Sequence, residues 1–396
     1  MTRQRNSEGL KRVGTLVIVL VGVLLLSLLP VACRRTKTHV RAPEVDSKDL
    51  KQTVVVATLD CPLPEHKNAI WCATFQMAWD KFRQDIIGEP IRVLGAEELA
   101  NRLNGAPFPT GSIEGKSYYA TAGFVKNGII EQVQKEMKQR FPAQPVPTFD
   151  SRYNTPDVIL AYAYLDVDVA FKDPYYVYRD RFPFLDSNGV DTLVSAFCAQ
   201  TQRPARDNQR VRDQVEVLYY EADASSDAAF FAVDLSKQTQ PYQVILARMP
   251  RCNTLGEAAK ALQDKITASK NDPNSMTRRG LGHGDTLIVP DVLYKLTHHF
   301  DELLGKHLGN QKWSGYFFFE ALQKIDFALS RTGVVLKSEA RLAAKKAAPM
   351  EQRNLHFDLP FLICVQKREP NATPFFLMWV DNAELMKPYG SSEKGS

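Results

Sequence analysis

The apolar positions along this chain switch period several times. Between Ala69 and Ile87 the residues Ile70, Phe75, Trp79, Phe82 and Ile86 recur near helical spacing, which predicts an amphipathic helix. A short helix is predicted over Ala96–Leu103, ended by Asn104-Gly105. Another runs from Gly128 to Phe141, where a Pro-rich segment stops it. Leu255–Ile266 and Leu296–Leu308 read as two more helices. Shorter runs read as strands: Val54–Ala57, Tyr118–Val125, Val215–Tyr220, Phe230–Val233, Tyr242–Met249, Thr286–Val289, Ile325–Val335, Leu359–Gln366 and Pro374–Val380. Val158–Phe171 starts as a continuous apolar run and ends in alternation, as a strand passing from the middle of a sheet to its edge would. No internal repeat is visible, and Ser269–Gly284 reads as a polar loop.

The first residues change the picture. Arg3, Arg5, Lys11 and Arg12 precede an uncharged stretch from Val13 to Cys33, the pattern of a secretory signal or a membrane anchor. Its length is borderline between the two. Pro30-Val31-Ala32-Cys33 loosely resembles a lipoprotein cleavage box, which makes Cys33 a lipidation candidate. Signal peptide, anchor and lipoprotein stay open. Residues 1–33 are therefore expected to direct the chain to the cell envelope or outside it. A linker at 34–50, one α/β domain at 51–388 and a disordered tail at 389–396 should follow. About 350 residues are enough for one large domain or two ordinary ones.

With 396 residues, 44% hydrophobic content and a net charge of +5, the composition is that of a globular protein. The basic residues are spread out, so no nucleic-acid partner is expected. Six cysteines form no CxxC pair, and buried free thiols are their expected state, although Cys61 and Cys72 could pair in an oxidising compartment. No GxSxG, HExxH, P-loop or GxGxxG motif occurs, so neither an enzyme nor a cofactor is expected. His298, His299, Asp301 and His307 would share the predicted Leu296–Leu308 helix; a solvated face is the simpler reading, and no metal is expected. Asp166 and Asp168 alternate along a strand, where paired carboxylates compete with a solvated face. Asn371-Ala372-Thr373 fits a glycosylation acceptor in a cell that glycosylates.

Several segments, in order, resemble the serpins. His356-Phe357-Asp358-Leu359-Pro360-Phe361-Leu362-Ile363-Cys364 is similar to the serpin C-terminal signature, and Phe375–Met378 resembles the last strand. Gln323–Asp326 running to Gly333 resembles the strand that ends at the hinge glycine. Val158–Phe171, followed by Pro174-Tyr175 and Phe184, resembles the central strand. Val217–Tyr220, Val244–Pro250 and the Leu255 helix resemble two more strands and a helix. The likeness covers about 157–382 well and 69–150 loosely.

The resemblance implies a serpin-like α+β fold: a large central mixed β-sheet, a second sheet, several helices and an exposed loop near the C-terminus. It implies a monomer whose partner is a peptidase or another protein, with the membrane reached only through the N-terminal segment. Departures matter as well. The N-terminal half is short, and the helix that lies across the large sheet should be missing. The family's latch residues, Asn and His, fall at Ala163 and Gln323, and acidic residues usual before the hinge glycine are Arg331 and Thr332.

In the family a peptidase cuts the loop, which then inserts into the sheet. Here Arg331, Thr332, Gly333 and Val334 would form the hinge of a loop over 334–356. Val334, Leu336, Ser338, Ala340, Leu342 and Ala344 share one face, mostly apolar. Val335, Lys337, Glu339, Arg341, Ala343 and Lys345 share the other, mostly charged, so an inserted strand is physically possible. The large Leu336 and Lys337 argue against fast insertion, and 337–348 also suits a surface helix. Bait candidates are Lys345, Lys346, Ala347, Ala348, Pro349 and Met350, the lysines for a trypsin-like and the Ala-Ala-Pro-Met run for an elastase-like enzyme. Inhibitor of serine or cysteine peptidases and non-inhibitory binding module are both open on these residues.

Overall fold

A computed structural model describes residues 44–200, 208–221, 230–272, 279–332 and 352–391. The apolar N-terminal run, Cys33, Gly333, Val334 and all six bait candidates lie outside them.

The core is built on a seven-stranded mixed sheet. It joins β2 (Thr53–Val55), β3 (Asn68–Cys72), β8 (Glu216–Tyr220), β9 (Phe231–Asp234), β10 (Tyr242–Arg248), β15 (Phe361–Lys367) and β16 (Phe376–Val380) in the order β2-β3-β16-β15-β10-β9-β8. Only β2 and β3 run parallel; the other ladders are antiparallel. β3 and β16 are buried at every position, which is why their sequences are continuous apolar runs rather than alternations. This pairing corrects the expected helix from Ala69. Ala69–Cys72 are strand residues laddered to Phe376–Trp379, and α1 (Ala73–Phe82) starts only at Ala73, with a π-type turn over Arg83–Ile87. Helix α5 (Leu255–Asn271) packs on this sheet through Leu255, Ala258, Leu262 and Ile266.

A four-stranded sheet, β14 (Asn354–His356)-β11 (Thr286–Pro290)-β7 (Asp191–Cys198)-β6 (Tyr176–Leu185), contains a hairpin absent from the expected elements. Most of β6 is exposed, so it carries little apolar pattern. The short helix α4 (Asn208–Asp213) precedes β8.

Two smaller sheets complete the molecule: β4 (Tyr118–Phe124) with β5 (Ile159–Leu165), and β1 (Glu44–Asp46)-β12 (Val292–His299)-β13 (Leu322–Leu329). β1 lies in the stretch read as linker. The predicted Leu296–Leu308 helix is corrected here: Val292, Tyr294 and Leu296 are buried while their neighbours are half-buried, a period of two, and turns follow from Asp301. His298 and His299 therefore sit on a strand, and among the described residues no group of three potential ligands could hold a metal. Val158–Phe171 is likewise shorter as a strand than expected, ending at Leu165.

The β4–β5 pair is covered on both faces. Ala120, Ala161 and Ala163 pack into the main core, where α1 lies against both strands. Tyr119, Leu160, Tyr162 and Tyr164 form a second cluster with Ile129, Val133 and Met137 of α3 (Ile129–Arg140). Helix α3 thus lies on this two-stranded layer. Helix α2 (Glu97–Gly105) packs on α1, where the Gln76 side chain donates to Leu103 O. Among the described residues the cysteines are free thiols, Cys61 and Cys72 included.

Candidate functional site: a split layer at the root of the loop

β5 pairs with β4 and β13 with β12, and no ladder joins β5 to β13 among the described residues. Each strand therefore has one edge whose N–H and C=O groups lack a strand partner.

The two strands are nevertheless clasped at both ends. Before they begin, Arg152 Nη2 donates to Glu320 Oε2 at 2.8 Å, and Tyr153 Oη donates to Glu320 Oε1 at 2.7 Å. Arg152 also lies over the Phe319 ring and is paired to Asp150. Burial and the bond to Glu320 push the Tyr153 hydroxyl's pKa well up, so it stays a donor. Past their ends, Tyr175 N donates to Arg331 O at 3.0 Å and Arg331 Nη1 donates to Tyr175 O at 3.3 Å. Both strands therefore run the same way. Between the clasps, the Tyr164 hydroxyl is raised by burial, then by the charges of Asp166 and, from β13, Asp326. A chain leaving β13 and folding back between the strands would run antiparallel to each and could bond to both edges.

The two proposed latch positions are not brought together by a hydrogen bond. Ala163 sits on β5 opposite Ala120. Gln323, buried at the start of β13, donates to Cys72 O at 2.9 Å and Thr74 Oγ1 at 2.7 Å, at the beginning of α1. It ties β13 to the start of α1, the helix that also lies against β5.

The described residues on the two sides of 333–351 are held differently. Arg331 and Thr332 are exposed. At the far end Arg353 is buried: its Nε donates to Asp285 Oδ2 at 3.0 Å, its backbone N to Asp285 Oδ1 at 2.9 Å and its Nη2 to Gly280 O at 2.7 Å. Burial pushes against the Asp285 charge, but the bonds from Arg353 outweigh it and hold the carboxyl below its usual range. Sequence reasoning missed Arg353 and Asp285; sixty-eight residues separate them, and no local pattern links them. The Arg152–Glu320 clasp was missed for the same reason. Asp166 accepts from Gln144 just past β5, and Asp168 lies on irregular chain, so the two are not an alternating strand pair.

No family model matches the sequence, and no curated protein matches it. Among solved structures, human glycosylated kallistatin aligns over 78% of this chain and 95% of its own, at 12% identity and TM-score 0.40. Thyroxine-binding globulin in complex with thyroxine aligns over 80% and 93%, at 12% identity and TM-score 0.42. The thermophilic serpin tengpin aligns over 85% and 99%, at 12% identity and TM-score 0.41. The segments singled out from the sequence for their resemblance form β5, β8, β10, α5, β13, β15 and β16. The fold is α+β, with a large mixed sheet and several helices.

Proposed function

We propose that this chain is a serpin-type suicide substrate for serine or cysteine peptidases, with the loop over 334–356 as bait and the gap between β5 and β13 as the place the cut loop enters. The supporting observation is the pair of strands clasped at both ends, each with one edge unpaired among the described residues. Chain length suits it. β13 spans roughly 26 Å, and the segment from Gly333 to a cut near Ala347 can be drawn out to roughly 50 Å, ample for a matching strand. The apolar face from Val334 to Ala344 would point into the layer.

The chemistry would be the peptidase's own. Its serine or cysteine forms an ester or thioester with the carbonyl carbon of the bait residue. The peptide C–N bond breaks, and the departing amine takes the nucleophile's proton through the peptidase's base. Insertion of the freed strand would then carry the acyl-enzyme away from the loop root and distort it before water can hydrolyse it. The N-terminal run Val13–Cys33 supports action outside the cytosol, tethered or released.

A second reading is a binding module that does not insert its loop. The Arg331–Tyr175 contacts favour it, because they close the gap where a strand must enter. The full chain mixed with trypsin-like, elastase-like and papain-like peptidases decides between them on denaturing gels. A denaturant-resistant complex at the summed mass, with cleavage between Ala344 and Glu351, is expected. Clean cleavage without complex from every enzyme tested would exclude trapping and leave the binding module.

A further inference from the structure

Beside the loop root lies a cavity of about 450 Å³, inside the size range of small-molecule sites. Its walls come from four parts of the fold. β6 contributes Tyr178 and Arg179, β7 contributes Ser195, the start of β12 contributes Leu293, and the end of β13 contributes Ser330 to Thr332. The C-terminal segment closes it with Lys387 and Tyr389. That segment is fixed in place: Ser195 N donates to Lys387 O at 2.8 Å, Lys387 N donates to Asp291 O at 2.9 Å, and Tyr389 Oη donates to Arg179 O at 3.3 Å.

The lining is electrostatically one-sided. Arg179, Arg331 and Lys387 meet a single carboxylate, Asp291. Among the described residues Arg179, Arg331 and Lys387 form no ion pair. Tyr178, Leu293, Val177 and Tyr389 supply apolar and aromatic surface between the cations, and Val177 is 54% exposed. Three cations around an apolar bed select an anionic head on an apolar body, because neither a cation nor a purely polar anion would use both halves.

We propose that this cavity binds a small organic anion, a carboxylate on a ring-sized apolar body. Arg179 and Lys387 hold the carboxylate, and Tyr178, Leu293 and Tyr389 take the body. Arg331 and Thr332, which line the cavity, are also the proposed hinge, so the site adjoins the segment that would move into the layer.

Isothermal titration of the full chain with 1-naphthylacetate tests this against its neutral isostere, 1-naphthylacetamide. The expected result is 1:1 binding of the acid, with the amide at least tenfold weaker. Arg179→Met and Lys387→Met should each weaken the acid at least fivefold and leave the amide unchanged, with melting curves like those of the native protein. Equal affinity for acid and amide, no saturable heat with the acid, or full acid affinity in both variants would each overturn the proposal.

Discussion

The seven-stranded sheet and the split layer of β4–β5 and β12–β13 are made of similar residues and held very differently. In the sheet, β15 is laddered on both sides, to β10 and β16, and Phe361, Leu362 and Ile363 are fully buried. In the split layer, every residue of β5 except Leu160 is only half-buried, one edge of β5 and one of β13 are unpaired, and the contacts that bridge them sit at the two ends. Unpaired edges are something most folds cover or blunt. Here they lie beside Arg331 and Thr332, and the proposed function would use them to take up a strand.

Substitutions should separate the two regions. The largest effect belongs to the sheet. Leu362→Ala removes a fully buried side chain from β15 and should cost about 2–5 kcal/mol in denaturant unfolding, without changing hydrogen exchange in β5 relative to the rest. A cost under about 1 kcal/mol would mean the sheet is not the rigid half. In the split layer, Arg152→Met opens the lower clasp. Arg152 is half-exposed, so global stability should barely move. Amides of β5 and β13 should nonetheless exchange faster, since local opening is governed by the few contacts that bridge the strands. Unchanged exchange in both strands would show that the clasp does not hold the layer together.

The smallest effect is on pH. Burial lowers the pKa of His298, on β12, and of His356, on β14. A histidine with a depressed folded pKa binds protons more readily when unfolded. Its stabilising contribution is present above the unfolded value of about 6.5 and is lost as pH falls through the folded one. Stability should therefore decline gently on acidification below about pH 6.5. Replacing His298 and His356 together with Gln should flatten that decline; a slope that persists in the double variant would assign it to other groups.

Much of this was legible in the sequence, for reasons that can be stated residue by residue. Phe361–Cys364 and Phe376–Val380 are unbroken apolar runs because both faces are buried, and such runs survive in any reading. The order of the segments carried the serpin likeness. Leu296–His299 was misread as helix because Leu296, His299 and Phe300 also fit a helical stripe, and only pairing with β13 decides the period. Ala69–Cys72 was absorbed into α1 because strand and helix join with no break in hydrophobicity. The clasps, the Asp285–Arg353 anchor and the separation of β5 from β13 rest on contacts between residues 68 to 168 positions apart, which leave no periodic trace.

If the layer between β5 and β13 takes up the cut loop, nicking the chain should stabilise it. The full chain is nicked within Lys345–Met350 by a peptidase that is then removed, and its thermal unfolding and amide exchange are compared with those of the uncut protein. A strand bonded to both edges adds on the order of ten hydrogen bonds at about 1 kcal/mol each, so Tm should rise by at least about 10 °C. Amides over Ile159–Leu165 and Leu322–Leu329 should become protected in the same sample. An unchanged Tm, with those amides exchanging as before the cut, would contradict the claim and leave the two strands as the permanent edges of two separate sheets.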